Sequence, residues 1–323
     1  MPDYRGPLTV EQFTGGQSNP TFRLTTPAQR YVLRRKPMGV LLKSAHAVDR
    51  EYRVMAALHG TGFPVPCMVA LCLDDTVIGS AFYVMDCVEG RLLWDPTLPE
   101  LARDQRAAIY DALNETTARL HATDYAQIGL ADYGRPGNYF ARQIDRWTKQ
   151  YRASESAPIP AMDALIEWLP ANIPPGDETS IVHGDLRLDN LIFDPTEPKV
   201  AAVIDWELST LGHPLGDFAY QLMAWRLDPE TFRGLAGADL GALGIPDEAA
   251  HVAAYCARTG RNGIAHLDYY LAYNMFRLAA ILQGIAKRAL DGTASSANAT
   301  ETGARARRVA AAGLRQMERA LAA

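Results

Sequence analysis

Ile181-Val182-His183-Gly184-Asp185-Leu186-Arg187-Leu188-Asp189-Asn190, followed by Val203-Ile204-Asp205-Trp206-Glu207, is the part of this 323-residue chain whose reading decides the fold. Its skeleton is His-x-Asp-x-x-x-x-Asn, with a further Asp at the end of an apolar run one hairpin later. Phosphoryl transfer from Mg-ATP asks a protein mainly to position phosphates and neutralise charge. It needs a carboxylate beside the attacking hydroxyl, and an amide oxygen plus a second carboxylate to hold magnesium. Asp185, Asn190 and Asp205 fill these roles in the expected order and spacing. Asn190 offers a neutral oxygen and Asp205 a charged one, the hard donors that magnesium prefers.

The residues between them read in supporting roles. His183 suits a hydrogen-bonding buttress better than a base. Arg187 has two readings: it stabilises the transferring phosphoryl oxygens, or it pairs at the surface with Asp189. Glu207 reads either as an aid to the metal or as a carboxylate behind it. Asp217, in Gly216-Asp217-Phe218, precedes a helical run and is read as a brace for the catalytic loop rather than a plain helix cap.

Upstream, Leu8–Thr14, Thr21–Thr25 and Arg30–Arg35 have strand character and are separated by turn-rich pieces. Val48 to Leu58 places Val48, Tyr52, Met55 and Leu58 at helical spacing, closed by Gly60-Thr61-Gly62. Met68–Leu73 and Ala81–Val88 then read as strands. The turn Gly15-Gly16-Gln17-Ser18-Asn19 could lay backbone N–H groups over phosphates, with Gly16, Ser18 and Asn19 as candidates. The third strand should supply a cation for the phosphates. Arg34 and Lys36 share one face of it, since strand side chains alternate, and the choice between them stays open. Glu51 in the following helix can pair with whichever points inward. The backbone from Asp86 to Val88 is where an adenine edge could hydrogen-bond.

After Glu89-Gly90 the texture turns helical: Pro99–His121, Asn138–Arg152, Ala161–Leu169, Asp217–Leu227, Glu248–Thr259, Leu267–Leu290 and Thr300–Leu321, interrupted by the hairpin Ile181–Asp205. Ala294–Ala299 reads as a loop before the last helix. The expectation is an α+β, bilobal architecture: a small antiparallel-sheet lobe with one helix over residues 1–88, and a larger, mostly helical lobe over 89–323.

Composition bounds the partners. Hydrophobic residues are 48% and charged residues 21% of the chain, which argues against disorder, and the formal net charge of −5 comes with no basic block, which argues against nucleic acid. Cys67, Cys72, Cys87 and Cys256 lack a C-x-x-C spacing and suit free thiols in a reducing compartment. The apolar runs are too short for a membrane span and no signal segment is evident at the start, so no membrane association and a cytoplasmic location are expected. The oligomeric state is not encoded in any motif.

With these elements in order, the chain resembles the aminoglycoside phosphotransferase/choline kinase-like group, the small-molecule branch of the protein-kinase-like fold. The resemblance spans residues 8 to 290 and is strongest in His183–Asn190 and Ile204–Glu207. Tyr31–Pro37, Ala45–Tyr52 and Phe82–Met85 are similar to the kinase-like domain of the acyl-CoA dehydrogenase family member 10/11 group. The resemblance implies ATP and Mg2+ as cofactors and a small-molecule hydroxyl as acceptor, a hydroxyacyl-CoA or related hydroxy acid. It assigns Asp185 as catalytic, Asn190 and Asp205 to magnesium, and Glu51 as partner of the strand cation. The group usually has Lys where this chain has Arg34, and the two are not interchangeable on phosphate. Asp205-Trp206-Glu207 replaces Asp-Phe-Gly and no Ala-Pro-Glu follows, which disfavours a protein substrate. The alternatives are a nucleotide-binding pseudokinase acting as an interaction module, and an aminoglycoside- or choline-type kinase.

Overall fold

The computed structural model describes residues 6–13, 19–37, 47–294 and 298–322. In chain order its elements are β1 (Thr9–Gln12), β2 (Thr21–Thr25), β3 (Arg30–Arg35), α1 (Val48–His59), β4 (Met68–Cys72), β5 (Phe82–Asp86) and β6 (Arg91–Leu92). There follow α2 (Arg103–Ala122), α3 (Tyr139–Ser154), α4 (Pro160–Ala171), β7 (Ser180–Val182), β8 (Leu191–Phe193), β9 (Val200–Val203), β10 (Thr210–Gly212) and α5 (Pro214–Arg226). The chain ends with α6 (Pro229–Phe232), α7 (Leu240–Leu243), α8 (Glu248–Thr259), α9 (Leu267–Leu290), α10 (Ala299–Ala304) and α11 (Ala306–Ala322). Five upstream strands with one helix between the third and fourth match the sequence expectation.

Packing divides the chain into two units. The first comprises residues 1–92, 124–133 and 189–209; the second comprises 93–123, 134–188 and 210–323.

In the first unit the five strands form an antiparallel sheet in the order β1-β2-β3-β5-β4. Leu24, Tyr31 and Val84 form its buried cluster, with Leu33, Val69, Ala70 and Phe82 packed against them. Helix α1 buries Val48, Glu51, Val54, Met55 and Leu58. The sequence spacing put Tyr52 on that stripe; instead an acid, Glu51, stands there, and such a group must find partners. A second, three-stranded sheet β6-β8-β9 carries the hairpin between the two metal candidates.

The second unit is helical, apart from the pair β10-β7. Helices α5 and α9 are buried on nearly every side, as central helices are. Helix α9 packs against α3, α4, α5, α10 and α11. The run expected as one helix over Thr300–Leu321 is broken at Arg305 into α10 and α11. Gly303 permits the close approach of α10 to α9: a Cβ there would lie 2.6 Å from the Ala286 backbone. The short helices α6 and α7 have N-cap aspartates, Asp228 and Asp239, that their four-residue runs made hard to read as helix starts. The four cysteines are free. No helix among the described residues is long and apolar enough to cross a membrane.

Candidate active site

In the first unit, Arg34 of β3 is the centre of a charge cluster. Its Nη2 donates to Asp205 Oδ1 at 2.7 Å and to Glu207 Oε2 at 3.3 Å. Its Nε lies 3.2 Å from Glu51 Oε2, and its side chain is only 14% exposed. Glu51 is held from two further sides: Asn19 Nδ2 donates to Oε1 at 3.0 Å and the Tyr83 hydroxyl to Oε2 at 3.1 Å. Burial pushes the Glu51 carboxyl up to about 7, against the Arg34 charge that lowers it. The neighbouring carboxylates Glu51, Asp205 and Glu207 outweigh the desolvation of Arg34 and raise its pKa further. Arg34, then, and not Lys36, meets the helix acid. Lys36 follows the end of β3, and its backbone N–H donates to the Ala81 carbonyl.

The metal candidates are brought together by the hairpin. The Asn190 carbonyl accepts the N–H of Ile204, the residue before Asp205, at 3.0 Å. Asp205 itself adopts φ +67°, a left-handed conformation that Asp tolerates better than most residues. The turn is held by Trp206, 1% exposed, whose Nε1 donates to the Val203 carbonyl at 3.0 Å and whose ring packs edge-on to Phe63. The Val203 N–H in turn donates to the Pro64 carbonyl. A buried amide residue and a partly exposed carboxylate fit magnesium, which takes few protein ligands and keeps water and phosphate oxygens. Among the described residues no three His, Cys, Asp or Glu side chains gather as a metal cluster. A magnesium held in this way requires none.

Asp86 ends β5, its N–H donating to the Cys67 carbonyl. Val88, half-buried just beyond, has no backbone hydrogen bond among the described residues. Gly16 and Ser18 lie outside the described residues. Asn19 is described, and its side chain serves Glu51.

The second unit holds the catalytic loop. Asp217, in the first turn of α5, accepts the backbone N–H of His183 at 2.7 Å and of Gly184 at 2.8 Å. His121 Nε2 lies 3.3 Å from the same carboxylate, while its Nδ1 meets the Tyr255 hydroxyl. Burial alone would raise the Asp217 pKa; the His121 hydrogen bond, the His121 and His183 charges and the His183 N–H bring it below the ordinary value. Asp217 is thus the brace expected from the sequence. Gly184 takes φ +84°, which a side chain would oppose. His183, fully buried, accepts the Asp185 N–H on Nδ1, a buttress role.

Asp185 pairs with Arg187, whose Nε lies 3.1 Å from Oδ1. Burial, and then the Asp185 charge, close enough to be felt, raise the pKa of the Tyr220 hydroxyl. The Arg187 guanidinium stands 5.5 Å over the Phe232 ring. Asp189 is 7% exposed and so does not stand at the surface. Tyr83, His121, Tyr220 and Tyr255 were not singled out from the sequence. Each reaches the site from a distant element, with no local motif to mark it.

The model of the phosphotransferase enzyme family APH matches residues 9–252. The chain is 47% identical over 301 residues to mouse acyl-CoA dehydrogenase family member 10, covering 92% of this chain and 28% of that relative. It is 45% identical over 294 residues to human acyl-CoA dehydrogenase family member 11, covering 90% and 37%, respectively. It is 46% identical over 319 residues to Arabidopsis thaliana probable acyl-CoA dehydrogenase IBR3, covering 92% of this chain and 38% of that relative. The chain thus spans well under half the length of these curated relatives. A crystal structure from Ralstonia eutropha, named provisionally as an aminoglycoside phosphotransferase, superposes with TM-score 0.90 at 57% identity, covering 98% of this chain and 94% of that one. A thermostable mutant of aminoglycoside phosphotransferase APH(4)-Ia, in ternary complex with AMP-PNP and hygromycin B, shares the fold at TM-score 0.63 and 16% identity, covering 97% and 95%. The fold is therefore the α+β kinase-like fold, and the chain belongs to the phosphotransferase enzyme family APH.

Proposed function

We propose that the chain transfers the γ-phosphoryl group of Mg-ATP to a hydroxyl of a small molecule. The observation that carries this reading is the set of oppositely charged groups fixed around Arg34: a strand cation tied to helix acid Glu51 and to Asp205. The same strand cation and helix acid position phosphates in kinases. Asn190 and Asp205 would hold magnesium, which supplies neutralisation of the phosphate charge. Arg34 binds the α- and β-phosphates, and the backbone groups of Val88, unbonded among the described residues, with Asp86 beside it, receive the adenine edge. Gly16 and Ser18 belong to the loop assigned to the phosphates. Asp185 orients the acceptor hydroxyl and takes its proton as the new P–O bond forms. Arg187, already paired with Asp185, holds that carboxylate in position.

In this reading residues 1–88 form the nucleotide-binding lobe and 89–323 the catalytic and acceptor-binding lobe, working in the cytoplasm. The relatives named as acyl-CoA dehydrogenases support a hydroxyacyl-CoA or related hydroxy acid as acceptor, whose phosphorylation makes the hydroxyl a leaving group. The test is transfer of radiolabelled γ-phosphate to hydroxyacyl-CoAs and hydroxy acids by wild type and Asp185→Asn. Label in product with the wild type alone supports the reading, and equal labelling by both sinks the role of Asp185. A second reading, a nucleotide-binding module without transfer, draws on one observation: Arg34 stands where the group usually has Lys and engages the metal candidate Asp205. Nucleotide binding with no labelled product from any acceptor favours that reading.

A further inference from the structure

Helix α9 carries a charge into an aromatic region of the second unit. Arg277 is 4% exposed. Its guanidinium lies 5.3 Å from the centre of the Tyr220 ring and 5.5 Å from that of Trp147. Buried Tyr139 and Tyr273 also surround it, and the carboxylate whose field reaches it is Asp185. No ion pair or hydrogen bond to its guanidinium is formed among the described residues. Arg146 of α3 stands 5.3 Å over the same Trp147 ring and likewise lacks an ion-pair partner among them. Burial and the Arg277 charge together lower the Arg146 pKa.

Two arginines thus share one aromatic-lined region whose positive potential is not cancelled. Buried charges in proteins are ordinarily paired, because leaving one unpaired is costly. The two aromatic faces return part of that cost but leave the guanidinium N–H groups without acceptors among the described residues. The region also adjoins the chemistry. The Tyr220 ring faces Arg277, and Asp185 lies near enough to act electrostatically on both. Asp185 and Arg187 keep side-chain exposures of 19% and 26%, so neither is closed off from solvent.

Building on the kinase reading above, we propose that Arg277, supported by Arg146, is an anion subsite of the acceptor pocket. The acceptor carries a carboxylate or phosphate anion that pairs with the Arg277 guanidinium while its hydroxyl meets Asp185. A guanidinium fork suits either anion through two parallel hydrogen bonds. A polycationic acceptor such as an aminoglycoside meets two like charges there instead. Arg277 makes and breaks no covalent bond; it is a positioning residue that selects acceptors by charge.

The experiment is isothermal titration of the full chain, with and without Mg-AMP-PNP, against hydroxybutanoate, neutral butanediol, hydroxybutanoyl-CoA and kanamycin. One or both anionic compounds should bind wild type at least about thirtyfold more tightly than butanediol. Arg277→Met should lose that preference, Arg277→Lys should keep part of it, and both should bind AMP-PNP as wild type does. A preference for the free acid over the thioester assigns the anion to a carboxylate, and the reverse assigns it to the coenzyme phosphates. Equal binding of anions and diol by wild type overturns the subsite, as does tighter binding of kanamycin. So does an Arg277→Met variant that retains the anion preference. Should Arg277→Met not fold, Arg277→Lys decides: the fork is lost, so unchanged anion affinity overturns the proposal. Absence of AMP-PNP binding by wild type counts against the kinase reading, whereas the anion comparison without nucleotide still decides the subsite.

Discussion

Arg34 and Asp205, 171 residues apart in the chain, meet at 2.7 Å through a guanidinium–carboxylate hydrogen bond. The same guanidinium neighbours Glu51 and Glu207, so one cation answers three carboxylates. Bound magnesium and phosphates would redistribute these partners: Asp205 to the metal, Arg34 to the phosphates.

Arg34 has first a structural consequence. Its removal leaves Glu51, 1% exposed, with Asn19 and Tyr83 but no counter-charge. Arg34→Ala should therefore lose about 3–5 kcal/mol in urea unfolding. Combining it with Glu51→Gln, which removes the stranded charge, should recover part of that loss. A double variant no more stable than Arg34→Ala alone would mean that Glu51 does not depend on Arg34.

For the chemistry, Asp185→Asn should lower kcat by roughly a hundredfold to ten-thousandfold, the usual contribution of a positioned proton acceptor. Its melting temperature should stay near that of wild type, since the side chain is partly exposed and outside the core. Wild-type kcat in this variant would remove Asp185 from the mechanism.

Asp217 acts at one remove. Asp217→Ala strands the His183 and Gly184 N–H groups, each a buried donor worth about 1–3 kcal/mol when left unmet. Stability and kcat should fall together, with nucleotide affinity little changed. A fall in kcat without loss of stability would point to direct contact with the reactants instead.

The acid limb of stability should show His251. Burial first, and the Arg258 charge second, lower its pKa to about 3, and its ring stacks on Phe218 and leans on Trp225. In the unfolded chain it titrates near 6.5. Between those values the unfolded state binds the extra proton, so stability falls as pH drops, by at most about 1.4 kcal/mol per pH unit from this group. Glu51, raised from 4.5 to about 7, acts in the opposite sense: between those values the folded state holds the extra proton, and its contribution is lost as pH rises. In urea unfolding across pH, His251→Gln should flatten the acid limb. An unchanged limb would exclude His251 as its source.

Much of this was legible in the sequence where a motif is local. His183 to Asn190 and Ile204 to Glu207 fixed the loop and hairpin because those roles sit within a few residues of one another. The strand order around α1 followed from alternation and turns. The pairing of Arg34 rather than Lys36 with Glu51 was not legible, because alternation puts both on one face and the end of β3 at Arg35, which leaves Lys36 outside the strand, is not marked in the sequence. Tyr83, His121 and Tyr220 reach their partners through tertiary packing alone. The break between α10 and α11 at Arg305 was not legible, because the run carries no Pro and both its glycines, Gly303 and Gly313, stay helical.

The central claim is that Asp205 holds the metal of a bound nucleotide. It is tested most directly by thermal unfolding of wild type and Asp205→Asn with ATP, with and without magnesium. A ligand at about 100 times its dissociation constant adds roughly 2.7 kcal/mol, a shift of a few degrees for a chain of this size. The account predicts a magnesium-dependent shift in wild type that disappears in Asp205→Asn. The same magnesium-dependent shift in both proteins, or none in wild type, would contradict it.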